Sequence, residues 1–351
     1  MKRALIGASL AAFTSFGLMG CGADNVQEQM NTSANGAANS DAIEQETGSL
    51  SFYTSQPDAD AEALVEGFNE AYPDIDVSIF RSGTEEVVSR LLAENEAGAI
   101  QADVLLLADS VTFEGLKEYD LLMPYESSEI NAIPSDFIDP DHMYTGTKIM
   151  PTVLAYNTNL VQDIPTSWDV LTSPESFGKT TMPSPLYSGA AAYNTGVLSR
   201  TDGFGWEFFE ALSENEATIV QGNGGVVQAV AGGDSAYGMV VDFVAANAKQ
   251  QGSPIDLIYP EEGVPVITEP IGITAETENE EAAKAFVDFV LSAKGQELSV
   301  EIGYTPIRDG VAPPEGLQSA ADVDVLSSDL SDLLNTRESD KEQFRTIFGD
   351  H

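Results

Sequence analysis

Hydrophobic and polar positions along the chain predict strands and amphipathic helices that follow one another. Residues 50–53 alternate as in a strand, and one helical face then carries Ala61, Leu64, Val65, Phe68 and Tyr72. Residues 75–80 return to a strand pattern, a second helix opens at 82–85, and residues 103–108 form a buried apolar strand. This succession predicts an α/β fold.

The same alternation begins again after a proline-spaced connection at residues 124–140. A continuous apolar strand is predicted at 149–156, and later strands at 180–182, 217–220, 236–241, 255–259 and 269–274, with a long amphipathic helix at 280–291. Two lobes joined by crossing strands near 151–156 and 265–273 explain this order better than one very wide sheet. We expect lobe 1 at 48–152 and 269–310, lobe 2 at 153–268, and a C-terminal helical segment at 311–351 packing on a lobe.

The N-terminus resembles a bacterial lipoprotein signal peptide. A charged start, Met1-Lys2-Arg3, precedes an apolar run that ends in Leu-Met-Gly before Cys21. We therefore expect residues 1–20 to be a signal peptide, Cys21 to be lipidated, and the polar residues 21–47 to be a disordered tether. The protein would then be anchored outside the cytoplasmic membrane. Because Cys21 is the single cysteine, the sequence offers no disulfide framework and no cysteine nucleophile.

The net charge of the chain limits the classes of molecule that it can bind. The chain has 57 acidic and 15 basic residues, a formal net charge of −42. So acidic a surface repels phosphate backbones, which excludes nucleic acid as a partner. The usual origin of such a charge is a solvated acidic surface.

The most informative stretch for chemistry is 179–200, where a strand ends and a helix opens after Ser188. A helix N-terminus presents unpaired N–H groups and the positive end of the helix dipole, and it therefore suits an anionic ligand group. Ser188 either caps the helix or donates to a ligand, and Gly189 permits a close approach to the backbone. Comparable strand-to-helix turns occur at 54–56, 82–85 and 109–110.

Several motifs, in order, resemble the substrate-binding proteins of bacterial ABC importers, over residues 50–314. They are RSGT at 81–84, AYNTNL at 155–160, QGNG at 221–224, GSPI at 252–255, AAKAFVDF at 282–289 and GYTPIR at 303–308. The matching branch includes binders of ferric iron, phosphorylated sugars and phosphonates. The resemblance implies a periplasmic-binding-protein type II fold, in which two lobes, each a mixed sheet flanked by helices, are joined by two crossing strands and close on a small solute.

The resemblance also implies a monomer without a cofactor or catalytic residues, which passes its solute to a membrane permease. The ligand contacts are then expected at the strand-to-helix turns, with Gly83 and Gly189 facing one shared cavity. From lobe 1 these residues are Thr54, Ser55, Ser82, Gly83, Thr84 and Asp109, from the hinge Asn157, and from lobe 2 Ser184, Ser188, Gly189, Ala190, Asn223 and Asp242.

The solute predicted from these turns is a phosphonate or organophosphate, with Arg81, Lys148, Lys179 and Arg308 as candidate positive charges. Ferric iron is the alternative. Ferric binders of this branch carry adjacent tyrosines where this chain has Asp242 and Phe243, so no metal site is predicted. An extracytoplasmic α/β hydrolase is a further alternative, weakened because the chain has two histidines and no nucleophile elbow or metalloprotease motif. The sequence does not separate delivery to a permease from delivery to a sensor.

Overall fold

The computed structural model describes residues 48–319 and 321–350. The predicted signal peptide, the tether and the lipidation site Cys21 lie outside these residues. Within the described part, no helix combines the length and apolarity needed to cross a membrane.

The described residues form twelve β-strands and ten α-helices. The strands are β1 (Gly48–Thr54), β2 (Ile75–Arg81), β3 (Val104–Leu106), β4 (Leu122–Met123), β5 (Thr145–Asn157), β6 (Thr180–Pro183), β7 (Thr218–Val220), β8 (Tyr237–Val241), β9 (Ile255–Ile258), β10 (Val264–Thr274), β11 (Thr305–Pro306) and β12 (Val325–Leu326). The helices are α1 (Asp58–Ala71), α2 (Thr84–Glu96), α3 (Ser110–Glu118), α4 (Gly189–Leu198), α5 (Gly205–Glu214), α6 (Asn223–Gly232), α7 (Asp242–Gln250), α8 (Glu280–Leu291), α9 (Ala293–Ile302) and α10 (Leu330–Phe348). Short 3-10 turns lie in the connections, among them Trp168–Thr172.

A mixed sheet runs through the molecule in the order β2-β1-β3-β10-β5-β8-β6-β7. β1 pairs in parallel with β2 and β3, and β6 pairs in parallel with β7 and β8. β10 and β5 are antiparallel to their neighbours, apart from the parallel pairing of β10 with β12. The sheet and its flanking helices divide into two lobes at β5 and β10, which confirms the predicted two-lobed α/β fold.

The division falls within β5. Residues up to Pro151 pair with β10, and from Thr152 onward β5 pairs with β8. We refer to the side with β1–β4 and α1–α3 as lobe 1 and the side with β6–β9 and α4–α7 as lobe 2. The expected lobe bounds, 48–152 with 269–310 and 153–268, remain a prediction.

Both crossing strands are longer than the apolar pattern indicates. β5 begins at Thr145 rather than at residue 149, and β10 at Val264 rather than at 269. All 13 residues of β5 are buried, including Lys148, whose Nζ lies 2.5 Å from Oε2 of Glu269. A buried ion pair of this kind interrupts the hydrophobic pattern without interrupting the strand.

Each lobe has its own aromatic core. In lobe 1, the ring centroid of Phe286 lies 4.9 Å from those of Phe52 and Phe68. In lobe 2, Trp168 and Phe209 are buried together with Phe344 of α10. Full burial of each such ring contributes roughly 1.5–3 kcal/mol.

The C-terminal helix α10 contacts both lobes. It packs against α3 of lobe 1 and against α4 and α5 of lobe 2. The segment before it adds β12 to the start of β10, so the chain passes between the lobes a third time. The sequence predicts a C-terminal helical segment that packs on a lobe, and α10 packs on both lobes.

Candidate functional site

A cleft of about 630 Å³ lies between the lobes, at the ends of the strands where helices begin. The first residues of α1, α2, α4, α6 and α7 all contribute to its lining. The carboxyl ends of parallel strands and the N-termini of the following helices meet at one edge of each sheet, which is where ligands bind in open α/β sheets.

Glycines allow the lobes to approach closely at this cleft. A Cβ on Gly83 would lie 2.6 Å from the Tyr187 ring, and a Cβ on Gly189 would lie 2.8 Å from the carbonyl oxygen of Ala108. The N–H of Glu85 also donates to the carbonyl of Tyr187 across the boundary, at 3.4 Å. Gly83 and Gly189 therefore both lie where one lobe packs against the other, and their place in one ligand cavity remains a prediction.

In lobe 2, two helices present N-termini that carry no acidic residue in the first turn, α4 and α6. Ser188 caps α4 by accepting the N–H of Ala191 at 3.3 Å, and it also lines the cleft. The N-cap of α6 is Gly222, which has no side chain to occupy the free N–H groups of that turn. Both ends therefore retain donors and the positive end of the helix dipole for a ligand.

The other helix ends are already occupied by carboxylates of this chain. α1 begins with Asp58 and Asp60, α2 carries Glu85, and α7 begins with Asp242. Glu85 is itself paired with Arg337 and Lys341, but at α1 and α7 an added anion would meet a carboxylate in the first turn, which favours α4 and α6.

One cation from lobe 1 lines the cleft opposite these helices, Arg81 at the end of β2. Its Nε donates to the carbonyl of Gln56 at 2.7 Å, which holds the guanidinium beside the turn after β1. Glu269 also lines the cleft, but its charge is matched by Lys148.

An aromatic wall closes another side. Phe243 and Tyr304 both line the cleft, with ring centroids 4.1 Å apart. The hydroxyl of Tyr304 donates to Asp60 at 2.7 Å. Burial, together with the charges of Glu269 and Asp60, raises the pKa of Tyr304 well above its ordinary value. Tyr304 is therefore a neutral hydroxyl rather than a phenolate.

The predicted ligand residues divide into two groups. Those that line the cleft are Ser55, Gly83, Thr84, Ser188, Ala190 and Asn223. Gly189 lies between two of them and packs on Ala108 and Thr84. Their contact with a ligand remains a prediction.

Other predicted residues do not line the cleft, because their polar groups bind the protein itself. Thr54 is fully buried, and its hydroxyl donates to Leu106 at 2.9 Å. The amide of Asn157 donates to the carbonyl of Val230 at 2.6 Å. Ser82 donates to Glu86, and the buried Ser184 accepts from the N–H of Leu186.

The two predicted aspartates, Asp109 and Asp242, are also structural in position. Asp109 is fully buried, accepts the N–H of Thr112 and pairs with Arg337 of α10 at 3.1 Å. Asp242 accepts the hydroxyl of Tyr259 at 2.8 Å, and burial raises its pKa to about 7. An aspartate at the end of a strand suits helix capping as well as it suits ligand binding, so the sequence alone does not separate the two roles.

Residues that are not among the predicted ligand contacts also line the cleft: Gln56, Tyr187, Gln221, Gln228, Glu269 and Tyr304. Gln56 follows directly on the predicted pair Thr54 and Ser55, so its position in the sequence could have indicated it as a cleft residue. Glu269 and Tyr304 come from distant parts of the chain and meet the cleft only through folding.

A two-lobed α/β fold with helix N-termini from both lobes around one cleft defines a solute-binding protein of the periplasmic type II class. The sequence agrees: residues 63–325 match the family of bacterial extracellular solute-binding proteins, and the chain belongs to that family. A probable ABC transporter periplasmic-binding protein of Sinorhizobium fredii is 28% identical over 243 residues, 66% of this chain and 67% of its own.

Two solved structures share the fold. The periplasmic binding protein AfuA of Actinobacillus pleuropneumoniae, with fructose-6-phosphate bound, superposes with a TM-score of 0.79 at 22% identity, covering 87% of this chain and 100% of its own. Iron-bound HitA of Pseudomonas aeruginosa gives a TM-score of 0.75 at 22% identity, covering 85% and 99%. The chain is thus the extracytoplasmic solute-binding component of an ABC importer, which delivers a small solute to a membrane permease.

Proposed function

We propose that this protein captures a small organophosphorus anion, a phosphonate or an organophosphate, between its lobes and passes it on unchanged. The observation that carries the proposal is the pairing of two uncompensated helix N-termini, α4 and α6, with Arg81 on the other side of one cleft. Backbone N–H groups, a serine hydroxyl and a guanidinium are the donors that phosphoryl oxygens prefer.

The net charge of −42 does not oppose this proposal. At physiological ionic strength, charges farther than ~8 Å apart are largely screened. The local donors of the cleft then determine binding once the anion is inside.

Ferric iron is the second candidate, favoured by the structural similarity to iron-bound HitA. The cleft argues against it on two points. Phe243 has no oxygen to offer, and the raised pKa of Tyr304 opposes formation of a phenolate. Within residues 48–319 and 321–350, no three side chains of His, Cys, Asp or Glu are grouped to hold a metal ion.

We further propose that Cys21 carries the lipid anchor and that the mature protein works as a monomer without turnover of its solute. The charged start and the Leu-Met-Gly-Cys site support the anchor. Mass spectrometry of the mature N-terminal peptide tests the lipid, and size-exclusion chromatography of the domain from residue 48 tests the monomer.

A thermal-shift panel tests the cargo. A ligand that binds the folded state raises the melting temperature by mass action. We expect the largest shift from a phosphonate or sugar phosphate, compared with inorganic phosphate and ferric citrate. Ser188→Asp should weaken binding about 100-fold or more, because like charges ~4 Å apart near a protein surface cost up to ~4 kcal/mol.

The matched control is Ser292→Asp. Ser292 caps α9 by accepting the N–H of Gly295, outside the cleft, so this change also places an aspartate at a helix cap. The Ser292 hydroxyl also donates to the carbonyl of Phe289 at 2.7 Å, so ligand-free melting curves first establish that both variants are folded. The folded control should bind as the wild type does. An iron-dependent shift with visible absorbance, or equal binding by Ser188→Asp and the control, would contradict the proposal.

A further inference from the structure

Gln56 is held rigidly in the turn after β1. The residue belongs to the cleft lining, it is only 3% exposed, and its Oε1 is buried. Its N–H donates to Oγ1 of Thr54 at 3.1 Å, and its carbonyl accepts from Nε of Arg81 at 2.7 Å. The carboxamide Nε2 donates to Oε2 of Glu269 at 3.1 Å.

The carboxamide oxygen of Gln56 has no hydrogen-bond partner among residues 48–319 and 321–350. The amide orientation is fixed, because the reverse would place Oε1 against the Glu269 carboxylate, acceptor against acceptor. A buried acceptor without a partner costs roughly 1–3 kcal/mol. A ligand that donates a hydrogen bond to this oxygen recovers that cost.

The charges around this oxygen favour a neutral donor. Glu269 is already matched by Lys148 at 2.5 Å, and both side chains are almost completely buried. An ammonium group beside this oxygen would therefore lose its hydration without gaining a free charge from Glu269, whereas a hydroxyl loses much less on burial.

We propose that Gln56 selects, through its Oε1, organophosphorus ligands that also carry a hydroxyl group. This inference rests on the proposed function: the phosphoryl group lies near Arg81 and the ends of α4 and α6, and the hydroxyl donates to Gln56. The hydrogen bond from Arg81 to the Gln56 backbone holds the guanidinium next to the residue whose Oε1 receives the hydroxyl.

Matched ligand pairs test this selection by isothermal titration calorimetry. One pair is 2-hydroxyethylphosphonate and ethylphosphonate, and the other is glycerol phosphate and n-propyl phosphate. In the wild type, we expect the hydroxylated member of at least one pair to bind about 10-fold more tightly or better. In Gln56→Met the preference should fall to about 2-fold or less, because methionine has a similar length and no strong acceptor.

The ratio of the two dissociation constants within a pair reports the loss of the acceptor. A general loosening of the cleft would weaken the binding of both ligands alike and leave that ratio unchanged. Gln251 is an exposed glutamine outside the cleft, and Gln251→Met should keep the wild-type ratio. If Gln56→Met does not fold, Gln56→Leu takes its place. Equal binding within both pairs by the wild type, or a preference that persists without Gln56, overturns the inference and leaves the proposed function standing. No binding of any of the four compounds overturns both.

Discussion

At the scale of single residues, carboxylates of this protein differ in charge state according to their partners. Glu85 is largely enclosed, and although burial favours its neutral form, Arg337 and Lys341 outweigh burial and lower its pKa. Asp242 has no cation in contact, and burial raises its pKa to about 7. Two strand-end acids of similar sequence context therefore have opposite electrostatics.

Asp242 makes stability depend on pH in a defined direction. Its pKa rises from an ordinary 3.8 to about 7 on folding, so between about pH 4 and pH 7 the folded state holds a proton that the unfolded chain has lost. Its contribution to stability is complete below pH 4 and is lost as pH rises to 7. The melting temperature of the wild type minus that of Asp242→Asn should thus fall across this window and stay level above it.

Tyr259→Phe provides the comparison for this titration. The Tyr259 hydroxyl donates to Asp242 and lowers the pKa of that carboxyl. Without this hydroxyl, the fall in melting temperature that Asp242 causes should continue above pH 7. A difference between wild type and Asp242→Asn that does not change from pH 4 to pH 8, followed by differential scanning fluorimetry, would contradict the assignment.

At the scale of elements, the periodic pattern predicted most helices and strands of both lobes. It failed where packing rather than periodicity defines an element. The first part of β5 contains Lys148, which is buried only because Glu269 from β10 neutralises it. The helix predicted at 280–291 matches α8, whereas α9, which follows after the single residue Ser292, was not predicted. The cleft turns were predictable, whereas Glu269 and Tyr304 reach the cleft from distant parts of the chain.

The junction of α8 and α9 depends on Gly295. A Cβ there would lie 2.0 Å from the carbonyl oxygen of Phe289 and 2.9 Å from that of Val290, both backbone atoms. We expect Gly295→Ala to destabilise the protein by about 1–3 kcal/mol or more, through overpacking. Urea denaturation measures the change.

Gly232→Ala is the control for this prediction. Gly232 is the last residue of α6, and a Cβ there would meet only the Asp234 carboxylate, at 3.9 Å. Alanine should be neutral or slightly stabilising at this position, because it favours helix. Equal losses of stability in the two variants would show that the tight junction is not the cause.

At the scale of the whole molecule, α10 fastens the two lobes through different interactions. Toward lobe 1, Arg337 donates to Asp109 and Glu85, and Lys341 pairs with Glu85 at 2.6 Å. Toward lobe 2, Phe344 packs with Phe209, and Asp340 pairs with Arg200 at 2.9 Å. Asp109 also has a positive φ of 118°, a backbone conformation that is costly for an aspartate. The helix cap and the ion pair that Asp109 forms hold it in this conformation.

Arg337→Met removes the cation from the buried Asp109. Loss of one partner of a buried ion pair typically costs about 3–5 kcal/mol, because the remaining charge has no compensation. Arg345 lies on the same helix and pairs with Glu342 and Asp350 at the exposed surface, so Arg345→Met should change the stability little. Urea unfolding of the two variants measures the contrast, and similar values would argue against a fastening role for α10.

The third passage of the chain between the lobes limits how the molecule moves. Two adjacent strands, β5 and β10, act as a narrow ribbon that tolerates both bending and torsion. The contacts of α10 with both lobes add a connection that is formed by a different part of the chain. We expect this connection to oppose twisting of one lobe against the other, and to allow bending only where the α10 contacts are kept. We therefore expect the cleft of this protein to open mainly by bending about one axis.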